Sequence, residues 1–385
     1  MKNMANNGTT IPVSYEVAIF AAVMTSIFSF VGTIANLCTI IALLRSTKLL
    51  KEATTKLIFS LALCDFLMCC LVFPPTAQQH TIENLGYPAI IHDMCPYFKY
   101  LEYNLFSTSI LHLMAISINR YIKICQEKVY DQIYGSRNVS IMIGLIWLFC
   151  FGFGLLPLFG IWGQFGKYIK NNIHNKLISE LFRLNLSIHI GFDSRKYYCL
   201  LEPKNEKSPR MFITILYMVI PIICIVGCYS AIFLKVREEQ KSLQRKQNSL
   251  RKLQSQSGSD KMMKIITEQT DKIMISIDEQ FRMIFVITAC FIFLIIPMII
   301  VGFIIRTISS FSELANVDKV VYGLVSANFV VNPFIYFFMN KNYREAFTKL
   351  VPEKLKNIRR ANGQAPQPKH GIGNTMNEAF MLDEV

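Results

Sequence analysis

Residues 97–124 read YFKYLEYNLFSTSILHLMAISINRYIKI, a largely apolar stretch with Lys99, Glu102 and Arg120 among its few charges. Glu102 and Arg120 are 18 residues apart, which is a whole number of turns in an α-helix of about 3.6 residues per turn. Ser109 falls on nearly the same face. Polar groups on one face of an apolar helix turn toward protein or water, because lipid does not solvate them. The stretch therefore predicts a membrane-spanning helix inside a bundle, with polar groups toward both ends.

Further apolar stretches of similar length lie on both sides of this one, and about 20 apolar residues suffice to cross a membrane as a helix. They are residues 17–44, 57–82, 138–166, 211–234, 283–305 and 320–340. With residues 97–124 they predict an all-α fold, a seven-transmembrane helix bundle. Residues 343–350 alternate basic and aromatic side chains, which predicts a short amphipathic helix on the membrane surface after the seventh span.

The distribution of positive charge gives the orientation of the chain, because cytoplasmic loops collect Lys and Arg. With the N-terminus outside, 26 of the 40 Lys and Arg residues fall on the cytoplasmic side and 13 on the outside. The glycosylation sequons at Asn7 and Asn185 then lie outside, in agreement. This orientation predicts a multi-pass plasma-membrane protein with a cytoplasmic C-terminus.

The positions of the apolar stretches and of the charged residues divide the chain into three parts. Residues 1–16 are an extracellular tail, and residues 17–350 are the membrane domain, whose third cytoplasmic loop covers residues 235–282. Residues 351–385 are predicted to be a disordered cytoplasmic tail, because residues 361–374 are rich in Gly, Pro and Gln.

The composition excludes several functional classes. Only 17% of residues are charged, against about 25% in a typical soluble domain. The net charge of +14 comes mainly from residues at the ends of apolar runs, where membrane lipid headgroups explain it, and no nucleic-acid-binding motif accompanies it. No nucleophile–base pair or Cys/His metal cluster is recognisable, so we expect neither an enzyme nor a resident cofactor, apart from the sodium ion considered below.

Most cysteines lie inside apolar runs, whereas Cys95 and Cys199 fall in segments predicted to be outside. An oxidising compartment allows these two to form a disulfide that ties the long outer loop to the third helix. The alternative is a pair of free thiols.

Two sets of polar residues are candidates for function. Asp65 is the only charge in its run, and Asn328, Asn332 and Tyr336 repeat at helical spacing on one face. With Ser109 they form either a site for a sodium ion, which prefers oxygen ligands, or a hydrated hydrogen-bond network without an ion.

Glu102, near the outer end of the third span, is the candidate ligand-pocket residue, since ionisable groups inside membranes are functional by default. Its alternative role is to pair with a neighbouring polar group and close the bundle.

The ordered set of motifs resembles the rhodopsin-like (class A) family of G-protein-coupled receptors across residues 17–350. The motifs are, in chain order, Gly32-Thr33-Ile34-Ala35-Asn36, Leu61-Ala62-Leu63-Cys64-Asp65, Asn119-Arg120-Tyr121, Trp147 with Pro157, Pro221 with Tyr229, and Asn332-Pro333-Phe334-Ile335-Tyr336.

The resemblance implies a receptor that binds an extracellular ligand, still unknown, and activates a heterotrimeric G protein, with arrestin as a further partner. It implies that Arg120 and Tyr121 contact the G protein, and that Tyr229 and Tyr336 swing inward to hold the active state. The family's sodium site corresponds to Asp65, Ser109, Asn328 and Asn332.

Shorter stretches, including Ser117-Ile118-Asn119-Arg120-Tyr121-Ile122 and Gly160-Ile161-Trp162-Gly163-Gln164-Phe165-Gly166, resemble the arthropod Trapped-in-endoderm and Moody receptors, a group similar to melatonin-type receptors. That resemblance implies a role in guided cell migration or in epithelial and glial barriers. In one departure from the wider family, Asn119 stands where most members have Asp or Glu, so Arg120 lacks its adjacent carboxylate and Asp278 or Glu279 is a candidate replacement. In another, Ile295 replaces the usual Trp of the sixth helix.

The alternative function is a transporter or channel that uses the polar face of residues 97–124 as a permeation path. The charge of the ligand stays open. Residues 167–210 hold nine basic and four acidic residues, which favours an anion, whereas Glu102 favours a cation.

Overall fold

The computed structural model describes residues 14–81, 89–155, 188–193, 198–203, 215–257, 286, 289–301 and 315–350. Within the strands, and at the first residues of the third span, the backbone alone is described.

Helices make up almost all of the described chain. They form seven rods and a short eighth helix, and one β-hairpin lies between the fourth and fifth rods. The elements are α1 (Tyr15–Leu44), α2 (Ala53–Leu67 continued by Met68–Val72 and Phe73–Thr81), α3 (Ala89–Cys125), α4 (Ser136–Gly154), β1 (Ile188–Asp193), β2 (Tyr198–Pro203), α5 (Ile215–Val219 continued by Ile220–Ser257), α6 (Ala289–Ile299), α7 (Ala315–Ser326 continued by Asn328–Met339) and α8 (Lys341–Thr348). Two short helices, Thr47–Leu50 and Glu127–Ile133, lie in connections.

The all-α fold class predicted from the sequence is confirmed, with a two-stranded hairpin that the sequence did not predict. In the described part of the chain, five helices are long and apolar enough to cross a membrane, namely α1, α2, α4, α5 and α7. The helix α3 carries several charges, as its sequence showed, and α6 is a shorter apolar helix in the described residues. The helix α5 continues to Ser257, well beyond its apolar run, because the polar residues that follow are good helix formers.

Two of the helices have wider π-helical turns directly before proline residues. The turn Met68–Val72 precedes Pro74 and Pro75 in α2, and Ile215–Val219 precedes Pro221 in α5. Proline removes a helical hydrogen bond and crowds the preceding turn, and π turns are a common way for a helix to absorb such an irregularity.

The proline of α7 leaves one carbonyl group without its usual helical donor. Pro333 has no backbone N–H, so the carbonyl of Phe329, four residues earlier, must find another partner. Asn36 of α1 provides it, since its Nδ2 donates to the Phe329 carbonyl at 2.8 Å and also to the Gly32 carbonyl at 2.9 Å. The side chain of Asn36 is fully buried. The bend of α7 is therefore fastened to α1.

Close packing of α1 depends on Gly32. A Cβ atom built at Gly32 would overlap Cys69 Sγ of α2 and would lie 3.1 Å from Val330 Cγ2 of α7. Only a residue without a side chain lets the three helices approach this closely.

We expect Gly32→Val to lower the free energy of unfolding by about 1–3 kcal/mol, because a buried, overpacked side chain must displace its neighbours. The measurement is the melting temperature of the purified protein. Gly144→Val in α4 is the matched control, since a Cβ there meets nothing within 4 Å. Equal melting temperatures for the two variants would contradict the packing argument.

Candidate ligand site and signalling core

Three of the predicted polar residues meet in the middle of the bundle. Ser109 Oγ of α3 donates to Asp65 Oδ1 of α2 at 3.0 Å, and Asn332 Nδ2 of α7 donates to Asp65 Oδ2 at 2.9 Å. All three side chains are buried. We call them the Asp65 network. It joins three helices through one carboxyl group, and buried polar groups that are fully bonded in this way fix a single arrangement of their helices.

The Asp65 network has the oxygen ligands that a sodium ion prefers, but in a different arrangement. Both oxygens of Asp65 accept hydrogen bonds from protein groups, and Asn332 turns its amide nitrogen, not its oxygen, toward the carboxylate. Asn328, four residues before Asn332 in α7, is buried, and its amide nitrogen has no partner within the described ranges. The described arrangement therefore fits the hydrogen-bonded alternative. Asp65, Ser109, Asn328 and Asn332 would hold a sodium ion, and this site stays a prediction.

Asn119, near the C-terminal end of α3, belongs to a second hydrogen-bond network. Thr54 Oγ1 of α2 donates to Asn119 Oδ1 at 2.6 Å, and Asn119 Nδ2 donates to the hydroxyl of Tyr130 at 3.3 Å. Asn119 is completely buried. Its side chain is thus directed to α2 and to the short helix Glu127–Ile133, and both of its polar groups are satisfied away from the neighbouring Arg120.

Arg120 is partly buried and lies near the phenol groups of Tyr336 and Tyr343. Tyr229 of α5 also lies near Tyr336, whose hydroxyl is buried and has no hydrogen-bond partner among the residues that the structure describes. Tyr121, next to Arg120, is partly buried. The structure therefore brings the predicted switch residues Arg120, Tyr229 and Tyr336 to the same end of the bundle, around one unsatisfied hydroxyl group.

The short helix α8 packs against this end. Asn340 Oδ1 caps it by accepting hydrogen bonds from the backbone N–H groups of Asn342 and Tyr343. The Tyr343 hydroxyl donates to Thr55 Oγ1 at 3.0 Å, and burial raises the pKa of this phenol to about 12. The phenol therefore stays protonated, and able to donate, above the pH of about 10 at which an ordinary tyrosine ionises. Adjacent threonines of α2 thus bind α8 through Thr55 and α3 through Thr54.

The end of the bundle that carries Glu102 contains an ionic cluster that we call the lysine–histidine cluster: His80, Lys99, Glu102 and Lys319. Lys99 Nζ is 2.5 Å from Glu102 Oε2 in an ion pair within α3. Lys319 Nζ of α7 is 3.2 Å from His80 Nδ1 of α2. His80, Lys99 and Lys319 are each at most 9% exposed. Glu102 thus has the neighbouring partner that the sequence left as an alternative.

Tyr322 lies beside this cluster. It is one turn after Lys319 in α7, its ring contacts the edge of His80, and its hydroxyl lies within hydrogen-bonding reach of Glu102. His80 Nε2 is buried without a hydrogen-bond partner in the described part of the chain. Buried polar atoms without partners are rare in proteins and call for a bound molecule, water or ion.

Large side chains separate the two polar regions. Phe73, Leu105 and Phe329 are fully buried in one cluster between α2, α3 and α7, and the rings of Phe73 and Phe329 meet edge to face. This layer fills the space that a permeation path along α3 would need.

Several predicted sites lie outside the described residues. They are the side chains of Cys95 and Cys199, the sequons at Asn7 and Asn185, and the candidate Arg120 partners Asp278 and Glu279. The disulfide and the glycosylation sites stay predictions. The described hairpin does pack against α3 and the end of α2, which are the helices that carry Lys99, Glu102 and His80.

Comparison with known families decides the class of protein. The profile of the 7 transmembrane receptor (rhodopsin family) matches residues 35–336, which span α1 to α7. The chain belongs to the rhodopsin family of seven-transmembrane receptors. It is a membrane-embedded receptor, as its motifs and its apolar helices predicted.

Curated relatives place the receptor more narrowly. It is 25% identical to Protein trapped in endoderm-1 of Drosophila melanogaster over 338 residues, which are 87% of this chain and 78% of that protein. It is similar to G-protein coupled receptor moody of Drosophila pseudoobscura pseudoobscura, at 30% identity over 241 residues, 62% of this chain and 31% of that protein. For moody of Drosophila melanogaster the identity is 26% over 88% of this chain and 52% of that protein. The chain thus spans only about a third to a half of the length of the moody receptors. The predicted relationship to these arthropod receptors is confirmed.

Sequence reasoning missed the two lysines and the histidine of the receptor's cluster. The spacing of Lys99 and Glu102, three residues apart, was a usable signal for an ion pair on one helix. Nothing local could indicate that His80 and Lys319, 239 residues apart, would meet.

Proposed function

We propose that this receptor binds an extracellular ligand at its Glu102 end and activates a heterotrimeric G protein at its Arg120 end. The observation that carries the proposal is that α3 contributes residues to two separate clusters, one toward each of its ends. One continuous helix contributes Glu102 to an ionic cluster in which His80 Nε2 has no partner among the described residues. The same helix contributes Arg120 to a cluster around the Tyr336 hydroxyl, which likewise has no partner there. A ligand that favours one arrangement of the Glu102 end changes the population of arrangements at the Arg120 end.

The proposed orientation places the N-terminus outside the plasma membrane and α8 on its cytoplasmic surface. The charge distribution along the sequence supports it. Arrestin is a further proposed cytoplasmic partner, by analogy with the family. The similarity to trapped in endoderm-1 and moody supports a proposed role in cell migration or in barrier signalling.

Nucleotide exchange is the direct test. The receptor is reconstituted in lipid nanodiscs with each class of heterotrimeric G protein, and the rate of GTP uptake is measured with and without receptor. We expect faster uptake with at least one class. If no class responds, while the same preparation passes ions or solutes across a bilayer, the proposal is wrong and the receptor fold serves transport.

Asn119→Asp is expected to lower ligand-independent exchange by about threefold to tenfold. The new carboxylate keeps the acceptor for Thr54 and adds a charge beside Arg120, an interaction of about 1 kcal/mol that holds the arginine in its resting position. The measurement is exchange at equal receptor concentration.

Asn119→Ala is the control for this effect, because it also removes the amide but adds no charge. Basal exchange by the Asp variant as fast as that of the unaltered receptor would contradict the restraining role.

A further inference from the structure

Two exposed basic segments pack against α1. One is the connection between α1 and α2, residues 45–52, and the other is residues 341–349, which include α8. Their basic side chains, all of them exposed, are Arg45, Lys48, Lys51, Lys341, Arg344 and Lys349. We call these six residues the basic patch. The same segments contain two acidic residues, Glu52 and Glu345, so the patch keeps a clear excess of positive charge.

Tyr343 joins the two segments. Its hydroxyl donates to Thr55 Oγ1 at 3.0 Å, four residues after Lys51, and its phenol lies near Glu52. Arg344 follows Tyr343 directly in the chain. The connection and α8 are therefore held side by side, and their positive charges act on one region of the surface.

The positive charges of the patch are not neutralised by ion pairs. In the part of the chain that the structure describes, the ion pairs belong to Lys99 and Lys235, and none involves the patch. Arg344 Nη1 donates to the Phe338 carbonyl at 3.3 Å, but that acceptor is neutral and leaves the positive charge in place. An anionic partner can thus bind the patch without displacing a carboxylate of the described residues.

The patch lies at the depth of the lipid headgroups. Arg45 comes directly after the last residue of α1, and Lys341 comes two residues after the last residue of α7. Basic side chains immediately beyond a membrane span reach the phosphate groups of the adjoining leaflet. The position of the patch therefore favours a lipid over a soluble partner.

The packing of α8 leaves charge as its means of contact with the membrane. Tyr343 and Ala346 are buried, and the rings of Phe347 and Phe337 meet edge to face at 5.6 Å. The apolar side of α8 is thus turned toward the bundle. No cysteine follows Cys290 in the sequence, so residues 291–385 offer no thiol for an acyl chain. The outward side of α8 is polar and basic, and it contacts lipid through its charges.

We infer that the basic patch binds an anionic membrane lipid whose headgroup carries more than one phosphate. Such a compact headgroup presents several oxyanions to both segments at once, whereas a lipid with one net negative charge does not. Guanidinium groups bind phosphate oxygens through parallel hydrogen bonds, and ammonium groups bind them as point charges. The inference rests on the proposed function only for the orientation, which puts the patch on the cytoplasmic leaflet.

The test measures lipid binding to the full receptor in uncharged detergent. A fluorescent dioctanoyl phosphatidylinositol 4,5-bisphosphate is bound first and then displaced by unlabelled dioctanoyl lipids: the same bisphosphate, phosphatidylserine or phosphatidylcholine. The soluble headgroup, inositol 1,4,5-trisphosphate, is a fourth competitor. We expect the bisphosphate to bind about tenfold or more tightly than phosphatidylserine, the value of one additional charge-assisted hydrogen bond. We expect the soluble headgroup to compete more weakly than the lipid, because it lacks the acyl chains.

Variants then locate the binding. We expect Lys48→Gln combined with Lys341→Gln to weaken binding of the bisphosphate about tenfold to thirtyfold, since one cation is lost from each segment. Lys128→Gln combined with Arg137→Gln is the matched control, because it removes two exposed cations from the connection between α3 and α4. The control is expected to change the affinity by less than about twofold, since salt screens exposed charges outside the patch. The melting temperature of each variant without lipid reports whether it is folded.

Three results overturn the inference. Equal affinities for the bisphosphate and phosphatidylserine, including no binding of either, would leave the patch to diffuse attraction or to an acidic protein. Equal losses in the two double variants would place the binding elsewhere. Competition by the soluble headgroup as effective as that of the lipid would assign the patch to a soluble polyphosphate. Nucleotide exchange without added lipid, measured on the same preparation, reports on the proposed function separately.

Discussion

Asp65→Ala is expected to lower the free energy of unfolding by about 2–4 kcal/mol, one of the two largest effects that the structure predicts. The carboxyl group is the shared acceptor for Ser109 and Asn332. Its removal leaves a buried hydroxyl and a buried amide without partners, and each such group costs about 1–3 kcal/mol. The measurement is the melting temperature of the receptor in detergent.

A double-mutant cycle separates this effect from simple loss of volume. In a Ser109→Ala background the hydroxyl is already absent, so the further change Asp65→Ala is expected to cost less than it does alone. Equal losses in both backgrounds would show that the hydrogen bond does not join the two helices. An Asp65→Ala receptor with an unchanged melting temperature would show that the Asp65 network does not stabilise the fold.

Arg120→Ala is expected to abolish G-protein activation while leaving the receptor folded. The guanidinium is partly buried, lies near the Tyr336 and Tyr343 phenols and is not engaged by the neighbouring Asn119. It is therefore available to a partner that enters this end of the bundle. The rate of nucleotide exchange is expected to fall to that of the G protein alone.

Lys123→Ala is the matched control, since Lys123 is a cation on the same helix, about one turn further on and exposed. Its removal takes away the same charge without touching the buried cluster. An Arg120→Ala receptor that is expressed normally and still drives exchange at the full rate would contradict the role assigned to the arginine.

The number of helices and their order could be read from the sequence, because the length of an apolar run is a local property. The end of α5 could not, since the charged residues up to Ser257 end the apolar run without ending the helix. The hairpin Ile188–Pro203 also escaped prediction. Its sequence mixes polar and apolar residues without a regular alternation. No local pattern therefore indicates that the two strands pair.

The same distinction applies to the candidate site. Asp65, Ser109 and Asn332 could be grouped from the sequence because each is a polar residue on a regular helix whose inward face is identifiable. The partners of Asn119 and of Lys319 could not. Their partners Thr54 and His80 both belong to α2. The positions of these two residues depend on how α2 packs and on its π turn.

The bond from Asn36 to the Phe329 carbonyl has a consequence for how such chains diverge. The amide is the stronger donor to the carbonyl that Pro333 leaves without its helical N–H, and the Cys69 thiol, 3.9 Å away, is a weaker one, so the proline costs least while the asparagine is present. An isolated replacement of either residue leaves the other mismatched. Descendants of a common ancestor are therefore expected to inherit the asparagine and the proline as a pair, although 297 positions separate them in the chain.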